Sequence, residues 1–426
     1  MTILFNLSER LYLGAVATVR TLMLLNSPYP PDIRVQKEAD ALVQKGAEVH
    51  LLCLKRNGEL PTEILNGITI HRIKTGTSPV ALACWDVIMS ISFVHPVFFQ
   101  QAAKLLASGG YTHIHAHDLP LVGTALRLRK RFQVRVLADL HENYPDALGL
   151  WFSLKTNPIA RLKNYLFMNA KTWRRWERKA IDEADQVITV VAEMKERIVK
   201  QYSVNPDQVS VVQNTEVKSF VSQVADPSVY DELRDRFIVA YTGGIGPHRG
   251  VDTVVEGMAL LKDLPAIVFV IIGGGNKETI SLLHQLIAQH GMQKQVLLLG
   301  HQPFHKVFSY MVMANANIIP HKSNPQNDNG LPHKLCQNMM VGRPVIVSTS
   351  TPLRRIVETY GCGLVFEAEN PADFATKARQ MVNDPALCEQ LGNAGKKATL
   401  DGSFNWESSA EVLWQVYGRN NDAREL

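Results

Sequence analysis

"AYTGGIGPHRGVDTVVEGM", Ala240–Met258, is the stretch on which the reading of this chain turns. An apolar run ends in Gly243, Gly244 and Gly246, a basic residue follows at Arg249, and an amphipathic stretch starts at Val251. Strand, glycine turn and helix start in that order bring backbone N–H groups to one spot and add the partial positive charge of a helix end. Arg249 is placed to add a full charge at a phosphate. A lone glycine turn is equally well a plain tight turn, so its meaning depends on whether the surrounding chain repeats the pattern.

It does. "AIVFVIIGGG" (residues 266–275), "QVLLLG", "NANIIP", "RPVIVS" and "CGLVFE" are further apolar runs separated by helix-like stretches. Upstream, "RTLMLLNS", "AEVHLLCL", "ITIHRI", "YTHIHAH", "VRVLADL" and "DQVITVV" show the same rhythm. Buried strands alternating with helices predict an α/β fold with parallel, doubly wound sheets, here two Rossmann-like domains. With 426 residues the chain exceeds one ordinary core. The expected division is a lead-in at 1–19, a first domain at 20–215, a linker at 216–236, a second domain at 237–402 and a terminal helix at 403–426. Two such domains facing each other form a cleft at their strand C-termini, where ligands of these sheets bind.

Three loop-to-helix junctions of the second half point to that cleft. The turn after "AIVFVIIGGG" includes Gly274, but no GxGxxG spacing follows and no acidic residue sits at the ribose-binding distance, which disfavours a nicotinamide cofactor. "NDNGLPHKLCQNMM" supplies Asp328, Asn329, Gly330, Leu331, Lys334 and Gln337. Two basic residues, Arg249 and Lys334, converging on glycine turns suit a diphosphate whose leaving charge must be stabilised. In the first half, His117 and Asp118 end one strand, and His141 and Glu142 end the next, beside Tyr144 and Pro145. His141 reads as facing the cleft or as a structural histidine. Arg34 follows a proline-rich loop, with Asp32 as the helix cap, and is read as pointing to the cleft. His113, His115 and His117 share one strand face, yet two of them would lie deep in a helix-covered sheet, so no metal is expected.

Charge narrows the partners. Residues 1–215 hold 26 Lys/Arg against 19 Asp/Glu, and the remainder holds 19 against 21, so the excess of basic residues belongs to the first half. It concentrates in residues 155–179, "KTNPIARLKNYLFMNAKTWRRWERK", where aromatics alternate with Lys and Arg. That mixture reads either as a surface for an anionic membrane or as a solvated helix with a buried aromatic face. Nucleic-acid binding is disfavoured, because the basic residues are local and no nucleic-acid fold signature accompanies them. Cys53, Cys84, Cys336, Cys362 and Cys388 are odd in number and form no CxxC pair, which favours a reducing, cytoplasmic compartment. The apolar "CWDVIMSISFVHPVFFQQAAKLL" (84–106) is read as a buried helix or as a second lipid-facing element.

In their order and spacing, "PPDIRVQKEADALVQKG", "HAHD", "DLHENYP", "ADQVITVVAEMKERI", the glycine turn at 240–258, "VLLLGHQP" and "PHKLCQNMMVGRPVIVS" resemble the GT-B glycosyltransferases of the retaining, nucleotide-sugar-dependent family-four (group 1) type, over residues 20–418. The resemblance implies transfer of a sugar from a UDP- or GDP-linked donor to a glycan or lipid-linked acceptor, in cell-envelope or extracellular polysaccharide or glycolipid synthesis. It implies no metal and no cofactor beyond this co-substrate, and a protein in the cytoplasm or peripheral on the inner face of the membrane. His141 matches the family's histidine at the donor sugar. Arg249 stands where the family has Lys, Gly244 where it often has Arg, and Lys334 matches the lysine of its "PxKL" version. On this reading His141, Arg249 and Lys334 are catalytic. Gly243, Gly244, Gly246, Gly274, Asp328, Asn329, Gly330, Leu331 and Gln337 hold the donor, and Arg34, His117, Asp118 and Glu142 lie on the acceptor side. The family's paired glutamates fall at Asn329 and Gln337. An amide keeps the shape and one acceptor oxygen and loses the charge, so an active enzyme is expected, with Asp328 as an alternative carboxylate. The competing readings are a nucleotide-sugar 2-epimerase and a non-catalytic binding protein on the same fold.

Overall fold

The computed structural model describes residues 19–76, 78–153 and 158–419. The expected lead-in, apart from its last residue, and the start of the basic segment, including Lys155, lie outside them. The strands are β1 (Arg20–Pro28), β2 (Glu48–Leu54), β3 (Thr62–Leu65), β4 (Ile68–Ile73), β5 (His113–His117), β6 (Arg135–Leu140), β7 (Gln186–Thr189), β8 (Val209–Val211), β9 (Phe237–Thr242), β10 (Ile267–Ile272), β11 (Val296–Gly300), β12 (Ala316–Ile319), β13 (Val345–Ser348) and β14 (Gly363–Phe366). All the apolar runs read above as strands became strands. The short edge strand β3, antiparallel to β4, was not foreseen, because its alternation of exposed and half-buried residues leaves no apolar run.

The chain divides into two compact units. One comprises the residues up to Leu140, Leu148–Ile188 and the stretch from Leu413; the other comprises His141–Ala147 and Thr189–Val412. In the first, the sheet runs β3-β4-β2-β1-β5-β6-β7, with β1 parallel to both β2 and β5. In the second it runs β11-β10-β9-β12-β13-β14, and every pairing is parallel. Each order reverses beside its first strand, between β1 and β5 and between β9 and β12. Such reversal points open a crevice at the strand C-termini.

The second sheet is buried on both faces, as a parallel sheet must be. Along β9, Val239 and Tyr241 face one cluster with Phe269, Ile271, Ile318 and Phe374, while Ile238 and Ala240 face another with Val268, Val270 and Tyr310. The segment expected to link the domains, 216–236, packs against this sheet. It forms two 3-10 turns, and the Tyr230 ring meets Tyr310 edge-on at 5.4 Å. In the first unit, Asp32 caps the helix Ile33–Gln44 as expected, its Oδ1 accepting from Val35 N at 3.1 Å. The terminal helix Trp406–Gly418 enters from the second unit, and its last turns belong to the first. There the Tyr417 hydroxyl lies 3.3 Å from Thr21 Oγ1 and 2.9 Å from His115 Nδ1.

The apolar stretch 84–106 is two helices, Pro79–Ser92 and Pro96–Leu106, parted at Phe93, whose φ of 53° ends the first. Among the described residues no helix is long and apolar enough to cross a membrane.

Candidate active site

The reversal point of the second sheet carries the strongest site. Leaving β9, the chain makes the glycine turn, which is built against the turn after β10. Gly243 N donates to Ile272 O and Ile245 N to Gly274 O, both at 2.8 Å. The approach admits no side chain: a Cβ on Gly273, whose φ is +145°, would stand 1.9 Å from Gly243 O. Gly250 has the same role at the start of the helix Val251–Met258, where a Cβ would stand 1.8 Å from Pro320 O just past β12. Glycine therefore locks three strand ends together, and the polar side chains between them have little freedom.

Those side chains are basic and aromatic. Arg249 Nη1 donates to His321 Nε2 at 2.9 Å, joining the end of the β9 turn to the end of β12. Because a guanidinium only donates, Nε2 accepts and the imidazole is neutral with its proton on Nδ1. Lys334 Nζ lies 3.8 Å from the centroid of the Tyr241 ring, a cation–π geometry. The Tyr241 hydroxyl donates to Gly244 O at 2.6 Å and fixes the crest of the turn. Among the described residues, neither Arg249 nor Lys334 forms an ion pair with a carboxylate, although both are at least half-buried. The electrostatic cost is visible. Burial first, then Arg249, holds the Lys334 ammonium well below the ordinary lysine range. Burial, then Arg249 and Lys334, keep His321 neutral and lower His248 to about 4. A buried group of cations without a counter-charge is a site that an anion stabilises. Gly243 and Gly244 are exposed at its edge, and a Cβ on Gly244 would meet nothing within 4 Å, so the side of the turn opens outward.

The loop after β12 borders this site. Asn329 Nδ2 donates to Pro325 O at 2.8 Å, and Asn327 Nδ2 donates to His248 O at 3.0 Å. Asp328, the alternative carboxylate, is occupied with structure: Oδ1 accepts from Thr351 N and Oδ2 from Ser323 Oγ, both at 3.0 Å. It braces the loop on the helix Thr351–Tyr360. Leu331 is buried, and its carbonyl accepts from Asn214 Nδ2 at 3.1 Å. Gln337 is also buried, and Nε2 donates to Glu216 Oε2 at 2.8 Å. His333 Nε2 lies 3.1 Å from the same oxygen. Glu216 was read only as part of a linker, and its carboxylate is the partner of the Gln337 amide.

His141 and Glu142 follow β6 and belong to the second unit. Glu142 Oε2 accepts from Gln326 Nε2 at 3.0 Å, which ties this segment to the loop carrying Asn329. His141 is half-buried. Two acceptor-side expectations are corrected. Arg34 does not point into open space: it is buried, with Nη2 2.8 Å from Asp139 Oδ1 and 2.9 Å from Glu38 Oε1. His117 is buried with them, because β5 is an interior strand covered on both faces. Asp118, at φ 63°, opens the helix Leu119–Phe132 without capping it. Tyr241, His321 and Glu216 were missed altogether. Tyr241 hides in an apolar run and His321 is a lone histidine, so only the order of strands in the sheet reveals their place.

Comparison with known proteins agrees with this architecture. Residues 33–215 match glycosyltransferase family 4, and residues 225–398 match glycosyl transferases group 1. The D-inositol 3-phosphate glycosyltransferase of Streptosporangium roseum is 22% identical, over 91% of this chain and 87% of that one. Among solved structures, the sucrose-phosphate synthase of Thermosynechococcus elongatus superposes with a TM-score of 0.74 at 19% identity, covering 94% of this chain and 98% of that one. The Anabaena protein HepE, solved in complex with UDP, does so with 0.71 at 12% identity, covering 94% and 100%.

Proposed function

Since the chain belongs to the group 1 glycosyltransferases of GT-B fold and is a transferase, we propose that it moves a sugar from a nucleoside-diphosphate donor, UDP- or GDP-linked, to a glycan or lipid-linked acceptor with retention at the anomeric carbon. The observation that carries this is the pair Arg249 and Lys334, at least half-buried beside exposed glycines at a strand reversal and, among the described residues, with no carboxylate to neutralise them. A diphosphate supplies the missing charge. HepE was solved with UDP, which supports the same class of donor.

In the proposed reaction the anomeric C–O bond to the phosphate breaks while the acceptor oxygen bonds to the same face. The acceptor proton passes to the departing phosphate oxygen, so no separate base is required. Arg249, Lys334 and the amides near Gly246 and Gly330–Leu331 hold the charge that develops there. His141 orients the donor sugar. With its Nε2 committed to Glu216, Gln337 offers Oε1 to a ribose hydroxyl. No metal takes part in this step, and the product belongs to envelope or extracellular glycan synthesis. Calorimetry with UDP and GDP is the test. One of them should bind with a Kd in the micromolar range or tighter, typical of substrate affinity, and the donor sugar should appear in product with its anomeric configuration kept, read by NMR. Failure of both nucleotides to bind at millimolar concentration would sink the proposal.

The acceptor, we further propose, is met at an anionic membrane surface. On the helix Pro158–Phe167, Leu162, Tyr165 and Leu166 are 60%, 75% and 58% exposed, with Arg161 exposed beside them. The next helix, Ala170–Glu183, buries Trp173 and Ile181 and exposes Lys171, Arg175, Arg178 and Lys179. Apolar side chains in water beside a basic face fit an interfacial helix pair. Vesicles with about 30% anionic lipid should retain the protein, and charge reversal at Arg175, Arg178 and Lys179 should release most of it. Equal retention on neutral vesicles would remove the membrane assignment.

A further inference from the structure

The first unit holds a second cluster of chemistry-bearing side chains, remote in sequence from the cationic site. Glu38 from the first helix, His115 and His117 from β5, and Asp139 from β6 are all buried, at 0%, 0%, 1% and 0% exposure. One ligand atom from each lies within 4.8 Å of all the others. From Glu38 Oε2 the distances are 3.7 Å to His115 Nε2 and 3.8 Å to His117 Nδ1. From Asp139 Oδ2 they are 3.6 Å and 3.3 Å to the same two nitrogens. A tetrahedral ion with bonds of 2.0–2.2 Å to imidazole and carboxylate separates its ligand atoms by about 3.3–3.6 Å. The four separations thus come close to four of the six edges of such a tetrahedron.

We propose that Glu38, His115, His117 and Asp139 bind a structural divalent transition-metal ion, zinc in the first instance, through two imidazole nitrogens and two carboxylate oxygens. Their surroundings match what a ligand set needs. The Tyr417 hydroxyl lies 2.9 Å from His115 Nδ1 and leaves Nε2 as the atom facing the carboxylates. Arg34 makes its short contacts with the opposite oxygens, Asp139 Oδ1 at 2.8 Å and Glu38 Oε1 at 2.9 Å, while its Nε reaches Asp139 Oδ2 at 3.3 Å. The carboxylates are therefore turned so that Oε2 and Oδ2 meet the histidines. Two imidazoles with two carboxylate oxygens in tetrahedral disposition suit zinc.

The sequence could not show this. HxHxH on an interior strand argued against a metal, and the missing half of the set comes from a helix some 75 residues upstream and from the adjacent strand. Because the ion joins that helix, both strands and, through Tyr417, the terminal helix, its role is to fasten the unit.

The test is the metal content of the full chain, purified without tag or chelator from zinc-supplemented culture. About one equivalent of zinc per chain is expected, falling at least tenfold in Glu38→Gln and in His117→Gln. Cobalt exchanged into the wild-type protein should give the intense visible absorption of a four-coordinate site. That measurement needs no variant, so a folding failure cannot obscure the answer. Wild-type protein that takes up neither zinc nor cobalt overturns the proposal. Metal retained in full by both folded variants also overturns it, by placing the ion elsewhere.

Discussion

Lys334→Met is expected to lower kcat/KM by about 10²–10³-fold, the range for removing one donor from a site of developing charge, without lowering Tm. The two halves of this expectation have one cause. Lys334 Nζ is held over the Tyr241 ring, beside the Gly243 turn and close enough to Arg249 for repulsion to depress its ammonium. In the free protein that charge is a liability, since burial and a like charge oppose it and, among the described residues, no carboxylate answers it. Methionine keeps an apolar stem of similar length and removes the liability, so the folded state loses nothing and gains where desolvation was uncompensated. With a diphosphate bound, the same charge stabilises the leaving group. UDP or GDP affinity should weaken at least tenfold in parallel, measured by calorimetry. A variant that loses activity and Tm together would show that Lys334 serves packing. A variant with wild-type kcat/KM would remove it from the transfer step.

How far the site was legible depends on whether its residues are neighbours in the chain. The glycine turn, Arg249 and the Lys334 stretch each announce themselves locally, as a strand, a turn and a helix start within twenty residues. The strand runs were equally clear, because parallel strands buried on both faces are continuous apolar segments. What stayed hidden depends on pairing across sequence. His321 matters because β12 lies beside β9. Arg34 looked like a cleft residue because an arginine is rarely buried. Its burial is acceptable only because Glu38 and Asp139 are there to meet it. Glu216 was set aside as part of a polar linker, yet the backbone around it is bound into the second unit, with Trp406 N donating to its carbonyl at 2.8 Å.

Glu216 supports the second large expectation. Gln337→Glu should destabilise this protein and should not improve donor binding. The Gln337 amide donates to Glu216 Oε2 at 2.8 Å, and both side chains are more than nine-tenths buried. A second carboxylate there meets the first at hydrogen-bonding distance. Two such groups cannot both ionise, so one must keep a proton, its pKa raised by about two to three units. At 1.36 kcal/mol per unit that is roughly 3–4 kcal/mol of stability at neutral pH. The sign of the pH dependence follows. A carboxyl whose folded pKa lies above its unfolded value costs nothing below the unfolded value, about 4.3, and progressively more as pH rises above it. Wild type and variant should therefore converge in Tm near pH 4.5 and diverge toward pH 7.5. Adding Glu216→Gln should recover much of the loss, since amide and carboxylate then face each other in exchanged positions. Equal Tm at pH 7.5, or the same loss with and without Glu216→Gln, would refute the pairing. The amide at 337 is accordingly matched to the carboxylate at 216, and the one negative charge of this buried pair sits on Glu216.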